Sequence, residues 1–418
     1  NFFGQYAFQN YSPLGWFHNV EDTGTYSWEG NLSRQAGAHN LHLGWDVRLV
    51  HFSYINPGNF TFTSNSDWTT TDYSNTNATA TSGDSFATFL LGTPSSGSTP
   101  FNSVYQVSSW YTAPYVQDDW RVSNKLTLNL GLRWDLLTAP IDKKDRLNVG
   151  FDPNMPSALQ GQIPSSVTAS FPAASHLTGG LIFANVNGAP RAPIQNTYHN
   201  FQPRFGFAYA ATDRLVVRGG YGLFYTNFQN NSEIQNLGFG QATPLNVSND
   251  GGLTPVQDVL SNPFPNGIIH PSGSSLGSLT SIGQTGGITV YNRNSKLPSA
   301  HEFSLGVPYR VTSSSVFEAA YVGNRGRGFS VSQDLNQAPW SFLQKCDEVY
   351  ASGSNSVCTA QQPNPFKGIA AFSGTPYFTN STLQARELAR PHPQFSTITM
   401  VGLNRGYSWY NGMQLSYN

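Results

Sequence analysis

The sequence predicts an all-β fold, a transmembrane antiparallel β-barrel of which this chain forms a part. Three observations lead to this prediction: a long alternating run at Leu126–Leu136, hairpins with short turns and long loops, and a composition poor in charge and rich in aromatic residues. Together they are typical of strands that face lipid on one side and water on the other.

The alternating run follows a polar turn at Ser123-Asn124. Its leucines and its tryptophan occupy every second position, and small, polar or charged residues occupy the positions between them. Neighbouring residues of a strand point to opposite faces, so the apolar set shares one face and Arg133 and Asp135 share the other. The run has about eleven residues, the length of a tilted membrane-spanning strand. A long strand of a soluble β-protein is the alternative.

The composition favours the membrane interpretation. Charged residues make up 11% of the chain and aromatic residues 14%, whereas about a quarter of an average soluble protein is charged. The mean hydropathy is only -0.34, and no apolar run approaches the roughly 18 residues of a membrane-spanning helix. The formal net charge of -1 argues against a nucleic-acid partner.

Further hairpins share this pattern. The first runs from Thr25 to Leu49 and is followed by a polar loop over 56–99, in which the apolar patch at 86–91 predicts one or two helical turns. A third hairpin covers Phe201–Phe228 and a fourth covers Phe303–Tyr321, where Pro308 removes a ladder donor.

The spacing of the turns carries further information. Turns are predicted near positions 37, 123, 212 and 313. Hairpins therefore recur about every ninety to one hundred residues, with loops of roughly forty-five to seventy residues between them, the asymmetry of an outer-membrane barrel.

The two cysteines bracket a loop rich in Ser, Gly and Asn. Cys346 and Cys358 are predicted to form a loop disulfide in an oxidising compartment. Two buried free thiols are the alternative, and a metal site would lack further ligands. No secretory signal stands at Asn1, and an alternating run continues to Tyr417, so we expect a fragment of a longer protein.

No catalytic, cofactor-binding or metal site is predicted. The glycines and serine at 273–277 fit a nucleophile elbow but lie in a loop without the strand and helix that this motif needs. Asp118 and Asp119 would point to opposite faces of a strand and could not share a proton. The nine histidines are scattered.

The chain resembles the β-barrel of TonB-dependent receptors, in particular the Oar-like group. The resemblance rests on six stretches, which are GAHNLHLGWDVR (37–48), SFATFLLGTPSSG (85–97), YVQDDWRVSNKLTLNLGLRWD (115–135), PRFGFAYAATDRLVVRGGYGLFY (203–225), AAYVGNRGRGF (319–329) and ARPHPQF (389–395). It implies a barrel of about 22 strands, of which about eight to ten are present here. It also implies an N-terminal plug and a TonB-contacting box, which match nothing in this chain.

The resemblance implies a location in the bacterial outer membrane, in contact with its lipid, and no enzymatic activity. The expected function is uptake of a solute, such as a carbohydrate, peptide or chelate, through the plugged barrel. The energy would come from the TonB complex through the absent N-terminal region. A structural or adhesive barrel that displays its loops to a protein or surface partner is the alternative, and a secreted carbohydrate-binding module is a third.

Six charged side chains are predicted to face the lumen. They would either hydrogen-bond to the plug or line a solute path, and plug contact is favoured because a large lumen must be filled or leak. The six residues are Arg48, Arg133, Asp135, Arg204, Arg218 and Glu302.

Overall fold

The computed structural model describes residues 5–9, 11–15, 20–55, 61–64, 67–70, 82–103, 105–163, 169, 171, 175–226, 234–249, 254–257, 259–346 and 357–418. The chain forms two compact units. The first comprises Asn1–Asp22, Phe52–Gln106 and Asn236–Leu276, and the second comprises Thr23–His51, Val107–Gln235 and Gly277–Asn418.

Strands dominate both units. In chain order they are β1 (Gln5–Phe8), β2 (Val20–Ala36), β3 (His39–Ile55), β4 (Thr61–Ser64), β5 (Ser96–Asn102), β6 (Tyr105–Arg121), β7 (Leu126–Leu137), β8 (Ile141–Asp142), β9 (Asn148–Pro156), β10 (Thr178–Phe183), β11 (Thr197–Ala210), β12 (Val216–Tyr225), β13 (Gly240–Pro244), β14 (Ile288–Tyr291), β15 (Ser299–Arg310), β16 (Val316–Asp334), β17 (Gln361–Pro363), β18 (Thr382–Gln384) and β19 (Ile398–Tyr417). The α-helices are α1 (Ser85–Leu90), α2 (Trp340–Leu343), α3 (Pro376–Thr379) and α4 (Ala385–Leu388), and 3-10 turns cover Asp67–Thr69, Gly277–Leu279 and Ala370–Phe372. Among the described residues, no helix has the length and apolar character needed to cross a membrane.

Nine long strands form one sheet in the order in which the chain makes them: β2, β3, β6, β7, β11, β12, β15, β16 and β19. From β6 through β19 along this path, neighbouring strands pair antiparallel. Strand β14 adds in parallel beyond β19, and β8 pairs with β6. Within the described residues the sheet is open, with β2 at one edge and β14 at the other. The predicted four hairpins and the additional strand at the end are confirmed, except that residues 227 and 228 at the end of the third hairpin lie outside the described residues.

Short turns join the strands of each hairpin, and in three of them a side-chain hydroxyl accepts hydrogen bonds from the turn backbone. Ser123 Oγ accepts hydrogen bonds from the backbone N–H groups of Lys125 and Leu126, at 3.2 and 3.1 Å. Thr212 Oγ1 likewise accepts from two backbone N–H groups, and Thr312 Oγ1 from one. A short hydroxyl side chain satisfies turn backbone locally, which explains why Ser and Thr stand at these positions. The turn between β2 and β3 instead uses Gly37 at a φ of 62°, where a side chain would be strained.

Pro308 lies inside β15, as the sequence indicates, and the neighbouring ladder accommodates it. The register between β12 and β15 stops at Arg218 opposite Gly306 and returns only as an isolated bridge between Leu215 and Tyr309. Pro308 itself keeps its place opposite Glu318 on β16. Because proline has no backbone N–H, pairing is interrupted only on the β12 side of the ladder, and the hairpin of β15 and β16 stays intact.

The first unit gives structure to a stretch that the sequence predicts as polar loop. Strands β1, β4, β5 and β13 form a four-stranded sheet in which β1 and β4 are parallel. Helix α1 confirms the predicted helical turns, and Asp84 caps it by accepting from the N–H groups of Phe86 and Ala87 at 2.8 and 3.0 Å. Phe8 lies 5.3 Å from Phe89, ring centre to ring centre, so aromatic packing stabilises this unit.

In the second unit, Asn336 fixes the loop that precedes β19. Its buried side-chain amide donates to the carbonyl oxygens of His392, Phe395 and Ser396 at 3.0, 3.2 and 2.7 Å. Its side-chain oxygen accepts from the His392 N–H at 2.8 Å. One amide therefore satisfies four backbone groups of the stretch 389–396, which includes the ARPHPQF motif.

Candidate functional site

The candidate site is the face of the large sheet that carries the predicted lumen-facing residues, here called the polar face. Antiparallel partners share a face, and the registers pair Gly131 with Arg204, Arg204 with Gly222, and Gly222 with Glu302. Arg133 and Asp135 share the face of Gly131 by alternation, and Arg218 shares the face of Gly222. Arg48 joins them because its guanidinium lies 5.6 Å above the ring of Tyr111, whose hydroxyl contacts Arg133. The structure thus brings all six residues to one face.

Three of the six belong to a compact charged cluster, defined as Asp46, Arg48, Tyr111, Arg133 and Asp135. The Arg48 and Asp46 side chains pair at 2.7 Å and those of Arg133 and Asp135 at 2.8 Å. Arg133 also donates to the Tyr111 hydroxyl at 2.6 Å and lies 3.8 Å from Asp46. The formal charges of the cluster cancel, and its contacts brace β3, β6 and β7 against each other.

The two acids of the charged cluster are buried, at 8% exposure for Asp46 and 4% for Asp135. Removing one partner of a buried ion pair costs about 3–5 kcal/mol because it leaves the other charge unpaired. The cluster is therefore a structural element of the polar face. Its members Asp46 and Tyr111 are not among the predicted site residues, although Asp46 stands two positions from Arg48 on the same face.

The other three predicted residues lie apart from the cluster. Arg218 donates to Glu318 at 2.6 Å, and Asn324 donates to Glu302 at 3.3 Å. The Arg204 guanidinium lies 4.9 Å above the ring of Phe224. In the described part of the chain no carboxylate forms a salt bridge with Arg204. Of the six predicted residues, Arg204 and Glu302 are thus the two without an ion-pair partner in the described part of the chain.

The opposite face, here called the apolar face, carries large exposed hydrophobic side chains at alternate positions. Register places Leu130, Phe205, Tyr221 and Phe303 in one row across four strands. The exposed members include Leu130, Leu132, Phe205, Tyr221, Leu305, Tyr321, Met413 and Leu415, which range from 38% to 73% exposed. A soluble monomer rarely exposes so large a continuous apolar patch, whereas lipid solvates it.

Aromatic side chains mark both ends of the apolar face. On β11, Phe201 stacks on Trp134 at 5.3 Å near the long loops, and Tyr209 lies at the short-turn end. Tyr209 is eight positions after Phe201, which corresponds to ~27 Å along a strand at ~3.4 Å per residue. At a tilt of ~40° this length rises ~21 Å, close to the ~25 Å height of the lipid band between the aromatic girdles of an outer-membrane barrel.

Charged side chains on the apolar face also lie near its ends. Near the short turns, His39 Nδ1 lies 2.8 Å from Asp118 Oδ2, and near the long loops Arg325 lies 5.6 Å above the ring of Phe303. Register places Asp118 opposite Leu130 and Asp119 opposite Asn129. The two neighbouring aspartates therefore face opposite sides of the sheet, as predicted, close to the short-turn end.

The predicted disulfide lies in the loop between β16 and β19. The Sγ atoms of Cys346 and Cys358 are in bonding contact and the Cα atoms lie 5.6 Å apart, a separation that suits a disulfide. Residues 347–356 between them lie outside the described residues. The pairing stays a prediction that a thiol assay can test.

Comparison with known proteins adds a family and a set of distant solved structures. Structural matches include the outer membrane transporter YddB from Escherichia coli, at 9% identity and a TM-score of 0.43, covering 99% of this chain and 34% of that one. A mutant of the ferric enterobactin receptor PfeA from Pseudomonas aeruginosa, in complex with enterobactin, matches at 10% identity and a TM-score of 0.35, covering 95% and 33%. A double mutant of the Serratia marcescens hemophore receptor HasR, in complex with its hemophore HasA and heme, matches at 10% identity and a TM-score of 0.35, covering 96% and 39%.

The chain spans 33% to 39% of the length of these structures. No curated protein sequence matches significantly. The family described as outer membrane beta barrel domain matches residues 3–418, almost the whole chain. The sheet with one apolar and one polar face is the architecture that this family requires. The chain therefore belongs to the outer membrane beta-barrel domain family, and its location is the bacterial outer membrane.

Proposed function

We propose that the chain is part of the barrel wall of a TonB-dependent outer-membrane transporter of the Oar-like group. The observation that carries the proposal is the division of the sheet into an apolar face and a polar face with a paired, buried charged cluster. Charged side chains on a lipid-facing surface would cost several kcal/mol, so the polar face belongs toward the interior of the barrel. The whole region from residue 1 to 418 is then one barrel domain, completed by further strands and a plug.

In this role the predicted lumen-facing residues divide into those with an ion-pair partner, which are the cluster residues and Arg218 with Glu318, and those without one. The charged cluster holds three neighbouring strands in register, and its cancelled charges leave little attraction for a mobile solute. Arg204 and Glu302 offer a guanidinium and a carboxylate to the plug, whose polar groups would pair with them. Plug contact is favoured over a solute path because a lumen of this size must be filled.

Transport in this proposal makes and breaks no bond. A solute such as a carbohydrate, peptide or chelate is captured by the long loops, and the TonB complex supplies energy through the N-terminal region of the longer protein. The loops contain many Asn, Gln, Tyr and Trp residues, which suit hydrogen bonding and stacking on such solutes.

A structural or adhesive barrel is the second candidate, and the order in the long loops favours it. The first unit builds a four-stranded sheet from loop segments, and Tyr11 and Phe101 expose aromatic surface on it, at 51% and 39%. Ordered loops with exposed aromatic side chains are also what a protein or surface partner would contact.

Comparison of cells with and without the gene for the full-length protein separates the two candidates. Depletion of carbohydrates, peptides and metal chelates from a defined medium is followed by mass spectrometry, with and without a protonophore, and surface adhesion is measured in parallel. The transporter proposal expects at least one solute whose depletion needs both the gene and the proton gradient. Unchanged depletion together with lost adhesion would favour the adhesive barrel and contradict transport.

A further inference from the structure

A cavity of about 290 Å³ lies within the second unit, at the long-loop end of the large sheet. Leu137 at the end of β7 and the following residues 138–140 form one side, and β16 and β19 form another. The segments 193–197 and 295–298 close it. It lies apart from Arg204 and Glu302, which line a separate, more open depression.

The interior of the cavity is mainly apolar. Leu137, Ala139, Pro140 and Pro193 are buried residues that line it, and Leu297 packs from the other side against the cluster around Leu137. Binding of an apolar molecule against such walls is favourable, because it removes the apolar surface of both from water.

Hydrogen bonds hold the walls in place without a ligand. The Lys296 N–H donates to Asn404 Oδ1 at 2.7 Å, and Asn404 Nδ2 donates back to the Lys296 carbonyl at 2.8 Å. On the same side, the Gly402 N–H donates to Ser330 Oγ at 3.0 Å, and Asn292 Nδ2 donates to the Gly402 carbonyl at 3.2 Å. A preformed cavity loses little entropy on binding.

One charge stands at this cavity. Of the described residues that line it, only Lys296 is charged; its side chain is exposed, and no carboxylate in the described ranges forms a salt bridge with it. Arg293, three positions earlier, donates to the Ala192 carbonyl at 3.3 Å and likewise has no carboxylate partner among the described residues. The cavity thus combines an apolar interior with a positive rim.

We propose that this cavity binds a small amphipathic monoanion, with a compact apolar body in the cavity and its carboxylate at Lys296. This inference rests on the proposed transporter function, because it names a class of ligand for that transporter. Binding of the ligand can nevertheless be measured without transport. A water occupies ~30 Å³ of liquid, so the cavity equals the volume of roughly ten waters. An aromatic carboxylate of about a dozen non-hydrogen atoms fits this volume.

The test uses 2-naphthoate and its neutral isostere 2-naphthamide as probes. Binding of each to the full-length protein in lipid nanodiscs is measured by calorimetry, with empty nanodiscs as the blank. We expect saturable binding of naphthoate, and weaker binding of naphthamide because it lacks the charge. Absence of saturable naphthoate binding, or equal affinity for both probes, would overturn the proposal.

Three variants locate the site. Lys296→Gln should weaken naphthoate binding about two- to fivefold, the range of an exposed ion pair, and should leave naphthamide binding unchanged. Ala139→Leu adds carbon atoms inside the cavity and should weaken both probes. Lys143→Gln removes an exposed lysine that is not among the lining residues and should change neither. If Lys143→Gln and Lys296→Gln have the same effect, binding follows the net charge and the assignment of the site is wrong.

The experiment measures binding and not transport. Failure of the cavity assignment can therefore be distinguished from failure of the transporter proposal. Loss of solute uptake with retained naphthoate binding would contradict transport alone. Gene-dependent uptake in a protein without naphthoate binding would contradict the cavity assignment alone.

Discussion

The apolar face makes a quantitative prediction at Leu305. This side chain is 48% exposed and lies in the interior of the sheet, opposite Tyr321 on β16 and Gly219 on β12. Four residues separate it from Tyr309 near the short turns, or ~13 Å along the strand and ~10 Å in height at a tilt of ~40°. In a lipid band ~25 Å tall, Leu305 is therefore close to the midplane.

An arginine at this depth on the lipid face costs about 2–4 kcal/mol. The matched control is Ser304, the preceding residue, which is exposed on the polar face. Its neighbour across the ladder is Gly220, and even a Cβ atom added at Gly220 would lie 4.0 Å from Ser304 Oγ, so the Ser304 side chain is not crowded there. Ser304→Arg keeps the new charge on the polar face and out of lipid, so we expect a change within about 0.5 kcal/mol.

The assay is reversible urea unfolding of the full-length protein in lipid vesicles, with tryptophan fluorescence as the signal. The free energy of unfolding should fall by about 2–4 kcal/mol for Leu305→Arg and hardly at all for Ser304→Arg. Equal losses for the two variants, or a larger loss for Ser304→Arg, would refute the assignment of the faces.

Three further predictions concern the loops. Asn336→Ala leaves buried backbone groups without hydrogen-bond partners and should lower the free energy of unfolding by about 3 kcal/mol. Proteolysis within 389–396 should then become faster, and unchanged resistance to the protease would contradict the role of Asn336. Cys346 and Cys358 should resist thiol labelling until a reductant is added, and labelling without reductant would exclude the disulfide. Burial, and secondarily the charge of Glu387, raises the pKa of Tyr377 to about 12 from a usual value of 10.0. The folded state thus holds this proton more tightly, so its contribution to stability is complete below pH 10 and should fall by about 2 kcal/mol as the pH rises from 10 to 12. A Tyr377→Phe variant that loses the same stability over this pH range would contradict this.

The sequence predicts the large sheet well because its signal is local. A period of two identifies each long strand, and Ser, Thr or Gly at each short turn supplies a hydroxyl acceptor or a left-handed backbone. The face of Arg133 follows from the same period, and the register confirms that it shares a face with Arg204 and Glu302. Neither step needs knowledge of distant contacts.

The parts that sequence reasoning missed depend on distant contacts. Strand β4 pairs with β1 in parallel and with β5 antiparallel, and its sequence TFTS resembles the surrounding polar loop. Strands β9 and β10 pair within the long loop that the sequence predicts between the second and third hairpins. Tyr111 enters the charged cluster only because β6 lies beside β7, where its hydroxyl reaches Arg133. Periodicity within one strand cannot reveal such partners.

The most direct test of the central claim is a fluorescence-quenching scan of β7 in native lipid. Single cysteines at each position from Leu126 to Leu137 of the full-length protein are labelled with bimane. Quenching by nitroxide lipids and by aqueous iodide is then measured for each position. A membrane barrel wall predicts lipid quenching at Leu128, Leu130 and Leu132 and lower lipid quenching at the positions between them. Uniform iodide quenching along the strand, without a period of two, would contradict the account.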